Sequence, residues 1–494
     1  MANEEEGEGV THAGVNERWP KTVRLEAAAV CDWRRAFAPG ALLVRVEGPR
    51  KLRVLEVGTP GDVAKHPANA GASVERHPEA VLMPGLVNAH AHLDLTHIGP
   101  RRFEVEKGFG GFVDVVRRER RTEPAEIAAS VRLGVEKCLA SGVVAVGDIA
   151  GAVRGRASAA GVEALAGAAL GGVSYIEFFA IGKGEEAGME GMKAALAGVD
   201  VERGVWRKVG ISPHAANTVS RRGFGLAKEI AGQKGVRIAT HVAETLAERE
   251  FIAQGTGAHR RFLEELGLWR PEMLEEIGRG LSPVAHTLAA LGVEEAGDAY
   301  DCTFVHVNDC SDADLEVMAR SGVSVVYCPH ASEYFGAAGV FGPHRYREMM
   351  EAGVTVALGT DSVINQPRGE LSILAEMGLL YRRDGVDAAT LLAMGTVNGA
   401  EALGMMRGAF EFGAGGDRGE ALPDGRATDG GDEALPEGRA TEGRETVGGR
   451  LAGLVAAGVD SEARRKHPDW HPLRWVLERE HPMAELLYIG TDYC

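Results

Sequence analysis

The sequence predicts an α/β fold: a (β/α)8 barrel of the TIM type beside a small β-domain built from N- and C-terminal segments. Three observations lead there. Through the middle of the chain, short Val/Ile/Ala-rich runs alternate with helical stretches, the pattern of parallel strands joined by crossover helices. Eight such runs occur over about 320 residues, the strand number of a closed barrel. The flanks of that stretch carry β-like pieces and no convincing helix.

The runs, in order, are Val81–Ala89, Val143–Ile149, Val173–Ala180, Val209–Ser212, Val236–Val242, Thr303–Val307, Val323–Cys328 and Val354–Gly359. Most are continuously apolar rather than alternating, as strands covered on both faces must be. Helices are expected between them, among them Pro124–Ala140, Arg221–Gln233, Asp312–Arg320 and Tyr346–Ala352. The longest insertion, read as a loop that covers the pocket, runs from Thr245 to Cys302, between the fifth and sixth strands.

Residues 1–80 are expected to hold an acidic, disordered start and then β-pieces of the small domain, Ala41–Val46 and Leu52–Val57. Residues 81–405 form the barrel. Residues 406–494 return to the small domain, with Leu486–Ile489 as a strand and Trp470 and Trp475 as packing residues. Within that last part, 413–449 has 11 glycines in 37 residues, no aromatic residue and an imperfect duplication, EALPDGRATDG and EALPEGRATEG. Such a stretch cannot bury enough apolar surface to order itself and reads as a flexible insert.

Composition sets limits on function. The 494 residues carry 54 Lys+Arg against 71 Asp+Glu, a formal net charge of -17, which argues against binding a nucleic-acid backbone. Four of those acidic residues stand in the first nine positions and a net five negative charges in 413–449, so the total says little about the substrate. No apolar run reaches a membrane span, and the start lacks the basic-then-apolar order of a leader. The six cysteines are scattered, without a C-x-x-C pair, and read as free thiols of a reducing compartment. The expectations are a cytoplasmic protein acting on a small molecule, with self-association into a homodimer as its one protein contact.

The chemistry is written where the runs end, the face on which barrel enzymes place their active sites. The first run ends in Asn88-Ala89-His90-Ala91-His92-Leu93-Asp94, the fourth in Ser212-Pro213-His214 and the fifth in His241-Val242-Ala243-Glu244. The sixth ends in His306-Val307-Asn308 and the eighth in Gly359-Thr360-Asp361-Ser362. Residues two apart in a strand point to one side, so His90 and His92 can reach one ion together. A lone His-x-His is weak evidence, and any one of these residues could be a hydrogen-bonded structural group. Their joint placement at successive strand ends is what chance does not supply. His90, His92, His241 and Asp361 make a ligand set for one divalent metal, Zn²⁺ first and Fe²⁺ as the alternative. Glu244 then lies near the metal without being needed as a ligand, which suits a general acid/base.

At these residues the chain resembles the amidohydrolase superfamily, and within it the branch holding adenosine-type, guanine and aminofutalosine deaminases and the triazine chlorohydrolases. The matching segments are PGLVNAHAHLD (84–94), SPHAANTVS (212–220), HVAET (241–245), HVND (306–309), CPHAS (328–332), GTDS (359–362), LSILAEM (371–377) and TVNGAEALGM (396–405). The resemblance implies that His90, His92, His241 and Asp361 hold the metal and that Glu244 shuttles a proton to a substrate ring nitrogen. It implies that His306 orients a metal-bound hydroxide and that His214 contacts the substrate. Ser362 and His330 are the further substrate contacts expected, though His330 could simply cap its loop. Two-metal members carry a carboxylated lysine at the end of strand four; Ser212-Pro213-His214 has none, so a single metal is implied.

The implied reaction is hydrolytic deamination of an aminopurine nucleoside or related N-heterocycle, hydroxide attacking the amidine carbon and ammonia leaving. The same site would serve a triazine chlorohydrolase or cyclic amidase, and a non-catalytic metal-binding barrel is the reading from another class. The sequence departs from the family's usual Cys-Pro-Arg-Ser-Asn after strand seven, which stands here as Cys328-Pro329-His330-Ala331-Ser332, at the rim where substrate choice is made. Leu95–Arg121, with its GFGGF segment, looks closer to the aminofutalosine type, and Gly449–Val455 is a degenerate remnant of the ending that re-enters the β-domain.

Overall fold

The strand-forming residues sort into two sheets in the computed structural model, which describes residues 19–48, 50–106, 108–201, 207–293, 296–299, 301–413, 449–469 and 471–489. The acidic start, all of the Gly-rich insert but its end residues 413 and 449, and Trp470 lie outside the described residues.

The larger sheet is an eight-stranded parallel barrel. Its strands are Leu86–Ala91, Val143–Ala150, Gly171–Phe178, Arg207–Pro213, Ile238–Val242, Cys302–His306, Ser324–Tyr327 and Val356–Leu358. Each pairs with its neighbour in sequence order, and nearly every residue in them is buried, which is why the runs read as continuously apolar. The first and last strands meet through a parallel bridge between Ala91 and Asp361. There Thr360 N and Asp361 N donate to the His90 carbonyl at 3.0 and 3.1 Å, and His92 N donates to the Asp361 carbonyl at 3.0 Å. Asn88 clasps the same seam, its Nδ2 donating to Thr360 Oγ1 at 2.7 Å and its Oδ1 accepting from Thr360 N at 3.0 Å. The barrel is thus closed by the residues that carry the candidate ligands.

The second sheet joins the two ends of the chain. Lys21–Cys31, Gly40–Gly48, Lys51–Gly58 and Ser73–Pro84 come from the N-terminal side, Gly453–Gly458 and Ala484–Ile489 from the C-terminal side. Gly453–Gly458 runs antiparallel to the end of Ser73–Pro84, pairing Leu454 with Pro84 and Gly458 with Ala80.

One strand differs from its sequence reading. The run Val81–Ala89 is split: Val81–Pro84 completes a strand of the second sheet, and the barrel strand begins at Leu86. Gly85 is the crossing point. A Cβ there would stand 2.5 Å from Val144 Cγ2 and 3.3 Å from Gly453 Cα, so only glycine lets the chain pass between the sheets. Both halves are buried, and periodicity alone therefore shows no break. The 245–302 segment also differs, since it is largely helical. Leu246–Gln254, Gly257–Glu265 and Pro283–Ala290 are α-helices and Pro271–Glu275 a 3₁₀ turn. Among the described residues no helix is long and apolar enough to cross a membrane.

Candidate functional site

Strand alternation sends His90 and His92 from the first barrel strand toward the axis, where the eighth strand's Asp361 meets them. Asp361 Oδ1 lies 3.5 Å from His90 Nε2 and 3.4 Å from His92 Nε2. The His241 ring, from the fifth strand, is centred 5.1 Å from that of His90 and 5.5 Å from that of His92. Ligand atoms of His90, His92 and Asp361 all lie within 4.8 Å of one another, and so do those of His90, His241 and His306.

The donor chemistry fits a divalent cation. His90 Nε2 and His92 Nδ1 are buried without a hydrogen-bond partner, a costly state that a metal relieves. Burial, then the neighbouring His90, lowers the His92 pKa to about 3. Burial also takes His241 and His306 well below the ordinary histidine range, so the rings are neutral and ready to coordinate. Burial would lift the Asp361 carboxyl, but the adjacent His90, His92 and His306 rings hold it down as a carboxylate. His241 Nδ1 stands 2.9 Å from the His214 carbonyl; donating there leaves Nε2 free to bind a cation.

Glu244 leaves the fifth strand just after the left-handed residue Ala243, at φ 54°. Its Oε1 is 3.6 Å from His306 Nε2. Burial, with Asp361 and Glu248 nearby, raises its carboxyl well above the usual range. Its backbone is held from two sides. Glu248 accepts from Ala243 N at 2.9 Å and Glu244 N at 2.8 Å, and Asn308 Nδ2 donates to the Glu244 carbonyl at 3.2 Å. His344 packs behind His306, although the two lie 38 residues apart in sequence. Its Nε2 lies 2.7 Å from the His306 carbonyl, and its ring stacks on Tyr327 at 3.8 Å.

The three residues expected on the substrate side fare differently. His214 ends the fourth strand with its ring 5.0 Å from His241 and its Nδ1 2.8 Å from Thr218 Oγ1. His330 sits on the helix Pro329–Tyr334, 2.9 Å from the buried carboxylate of Glu376. It lines an open cavity of about 480 Å³ together with Arg101, Arg102, Tyr334, Asn365 and Gln366. Ser362 is buried against Asn365, whose Nδ2 lies 3.4 Å from its Oγ and 2.5 Å from Asp361 Oδ2. Asn365, not Ser362, reaches that cavity.

Sequence reasoning missed a charged cluster beside the cage. Glu177, next to last in the third strand, has an oxygen within 4.8 Å of ring nitrogens of His214 and His241. Arg120 stands between two carboxylates, its Nε 3.2 Å from Asp94 Oδ2 and its Nη1 3.6 Å from Glu177 Oε2. Burial would raise Glu177, but His214 and Arg120 outweigh it and bring its pKa to about 2. Gly151 makes the room, since a Cβ there would fall 2.4 Å from Arg120 Nη2 and 2.7 Å from Asp94 Oδ2. Glu177 obeys the strand-end rule that found the others; Arg120, in the segment after the helix Gly108–Glu119, gives no such signal.

A model of the amidohydrolase family matches residues 81–417. An aminodeoxyfutalosine deaminase of Deinococcus radiodurans is 28% identical over 379 residues, 75% of this chain and 82% of that protein. A 5-methylthioadenosine/S-adenosylhomocysteine deaminase of Haloarcula marismortui is 28% identical over 357 residues, 69% of this chain and 72% of that protein. In structure, the chain is similar to an adenosine deaminase from Xanthomonas campestris with bound zinc. That match has a TM-score of 0.61 at 19% identity and covers 96% of this chain and 90% of the other.

Proposed function

The chain belongs to the amidohydrolase family, and from that premise we propose that it is a hydrolytic deaminase of an aminopurine nucleoside or closely related N-heterocycle. The observation that carries this reading is Glu244, a buried acid 3.6 Å from His306 and beside three imidazoles and Asp361. An exocyclic amine is a poor leaving group until its ring is protonated, and a proton-bearing carboxyl near an electrophilic centre supplies that proton. The relatives point the same way, being named for deamination of aminodeoxyfutalosine and of methylthioadenosine or S-adenosylhomocysteine.

His90, His92, His241 and Asp361 would hold the cation, with zinc assigned first and Fe²⁺ as the alternative. When bound, it lowers the pKa of water toward neutrality. Glu244 donates its proton to the ring nitrogen next to the attacked carbon. His306 and Asp361 flank the side from which water adds and hold the first proton it gives up, which passes to the exocyclic nitrogen so that ammonia leaves, while the second, lost from the new hydroxyl as the carbonyl forms, restores the acid form of Glu244. His214 abuts the heterocycle from the fourth strand, and the Asn365 and His330 cavity is the route in. The free thiols Cys31, Cys138, Cys302, Cys310 and Cys328 support placing the enzyme in a reducing compartment, the cytoplasm.

The test is a panel on zinc-loaded protein: ammonia release from adenosine, methylthioadenosine, aminofutalosine and guanine, against chloride release from a chlorotriazine. Ammonia from a purine nucleoside is expected, with Glu244→Gln slowing turnover about 10²–10⁴-fold while metal is retained. Chloride release alone, or full turnover in the variant, would refute the reading.

A further inference from the structure

The Glu177 cluster has no task in the reaction as described, and it is an expensive thing to build. Glu177 is 2% exposed and Asp94 4%, and both share the one guanidinium of Arg120. Only one side of the Glu177 carboxylate is satisfied: Oε2 accepts from Ala152 N at 2.9 Å and faces Arg120. Among the described residues Oε1 has no hydrogen-bond donor. That oxygen is not among the buried atoms that lack a partner, so it is reachable by water or a ligand, and the carboxylate lies beside His214 and His241.

A second metal is the first occupant to weigh, because Glu177, His214 and His241 have metal-like spacing. Two features oppose it. Arg120 already brings a positive charge to the carboxylate. His241 has one nitrogen near the His214 carbonyl and only the other left, which the first cation takes. What remains is an acceptor-only oxygen next to a neutral imidazole, in a cluster of two carboxylates and one guanidinium that repels anions. Such a corner suits neutral hydrogen-bond donors set side by side.

Resting on the deaminase reading above, we propose that Glu177, backed by Arg120, accepts hydrogen bonds from the vicinal hydroxyls of the substrate's sugar and so sets the enzyme's preference for ribonucleosides. Glu177 is a substrate-binding residue on this account and Arg120 a positioning residue. The third strand then presents Glu177 to the sugar beside His214, which abuts the heterocycle from the fourth strand.

The experiment measures kcat/KM of the zinc-loaded enzyme for 5′-deoxyadenosine and for its counterpart lacking the 2′- and 3′-hydroxyls. Sites built to bond a hydroxyl reject analogues without it strongly, so the wild-type ratio is expected at about 10²-fold or more. In Glu177→Gln that ratio should fall at least about tenfold, through a higher KM for the hydroxylated substrate, at unchanged metal content. A variant that only folds poorly loses both substrates alike and leaves the ratio standing, which would overturn the proposal. So would a wild-type ratio near one, or two metals per chain falling to one in the variant. Ammonia from neither nucleoside would bring down the deaminase reading itself and this inference with it.

Discussion

Replacing Glu248 by glutamine keeps the size of the side chain and removes its charge, and the structure sets opposite expectations for stability and turnover. Glu248 is 3% exposed and accepts from Ala243 N at 2.9 Å and Glu244 N at 2.8 Å. Burial raises its pKa from 4.5 to about 7, against the pull of those backbone donors. A carboxyl raised on folding favours the native state fully below pH 4.5, and that advantage is lost as pH climbs through 7. That rise is worth about 3 kcal/mol, of which about 2 kcal/mol is lost between pH 5.5 and 8. Glu248→Gln does not titrate, so its unfolding free energy should gain about 2 kcal/mol on wild type over that range. Turnover moves the other way. Glutamine offers one oxygen to two buried donors, and a stranded N–H costs about 1–3 kcal/mol. Since one of them is the backbone of Glu244, kcat should drop about 5- to 100-fold. Urea unfolding of metal-loaded protein at pH 5.5 and 8 reads the first effect, with the pH dependence of metal binding cancelling between variants. Ammonia release at pH 7.5 reads the second. Curves that stay parallel with pH, or unchanged turnover, would refute the reasoning.

The remaining expectations concern the cage and its support. Asp361→Ala and His241→Ala should each lose metal and turnover together, seen by metal analysis after dialysis; either variant near normal activity after chelation and metal return would unseat the ligand assignment. Glu376→Leu should destabilise by about 3–5 kcal/mol. Its carboxylate takes Gln366 Nε2 at 3.0 Å and His330 N at 3.0 Å and pairs with His330 Nδ1 at 2.9 Å, and leucine strands all three donors. A loss under about 1 kcal/mol in urea unfolding would show that those groups find water instead.

How far the sequence could be read follows from the range of each signal. Local signals served well: the helix Pro124–Ala140 lies where its pattern put it, and seven of the eight apolar runs coincide with barrel strands within a few residues. Where two buried strands abut without a polar residue, as at Pro84-Gly85-Leu86, no periodicity marks the join. An error of two residues hid Glu177. The third run was drawn to Ala180, which made Glu177 an interior residue, whereas the strand ends at Phe178. Lys21–Cys31 gives a weak strand signal, because its Ala27-Ala28-Ala29 core lacks the β-branched residues that mark strands. Arg120, Asn365 and Glu376 owe their roles to partners brought together only by the fold; Glu376 lies inside the recognisable LSILAEM segment, but nothing local ties it to His330, 46 residues away.

Backbone strain sets apart the strand-end positions to which the chemistry is assigned. Ala243, His306, Val307 and Asp361 all have left-handed φ, at 54°, 74°, 49° and 56°, a conformation that costs a non-glycine residue about 1–3 kcal/mol. None is glycine, so the surrounding structure must enforce it. Val307 N donates to the Val242 carbonyl and Asp309 N to the Ala243 carbonyl, each at 3.0 Å, and the exchange between His90, His92 and Asp361 pins the eighth strand's end. These residues stand at or within three residues of a strand's end, where the chain turns away from the direction of the sheet. Glu244 follows one such residue, while His306 and Asp361 are themselves such residues. Sequence alternation can therefore say which face a strand-end histidine shares. The reach of Glu244 toward His306 depends on a turn that only the neighbouring strands' hydrogen bonds can hold, and for that reason stability and catalysis are coupled at Glu248 in opposite senses.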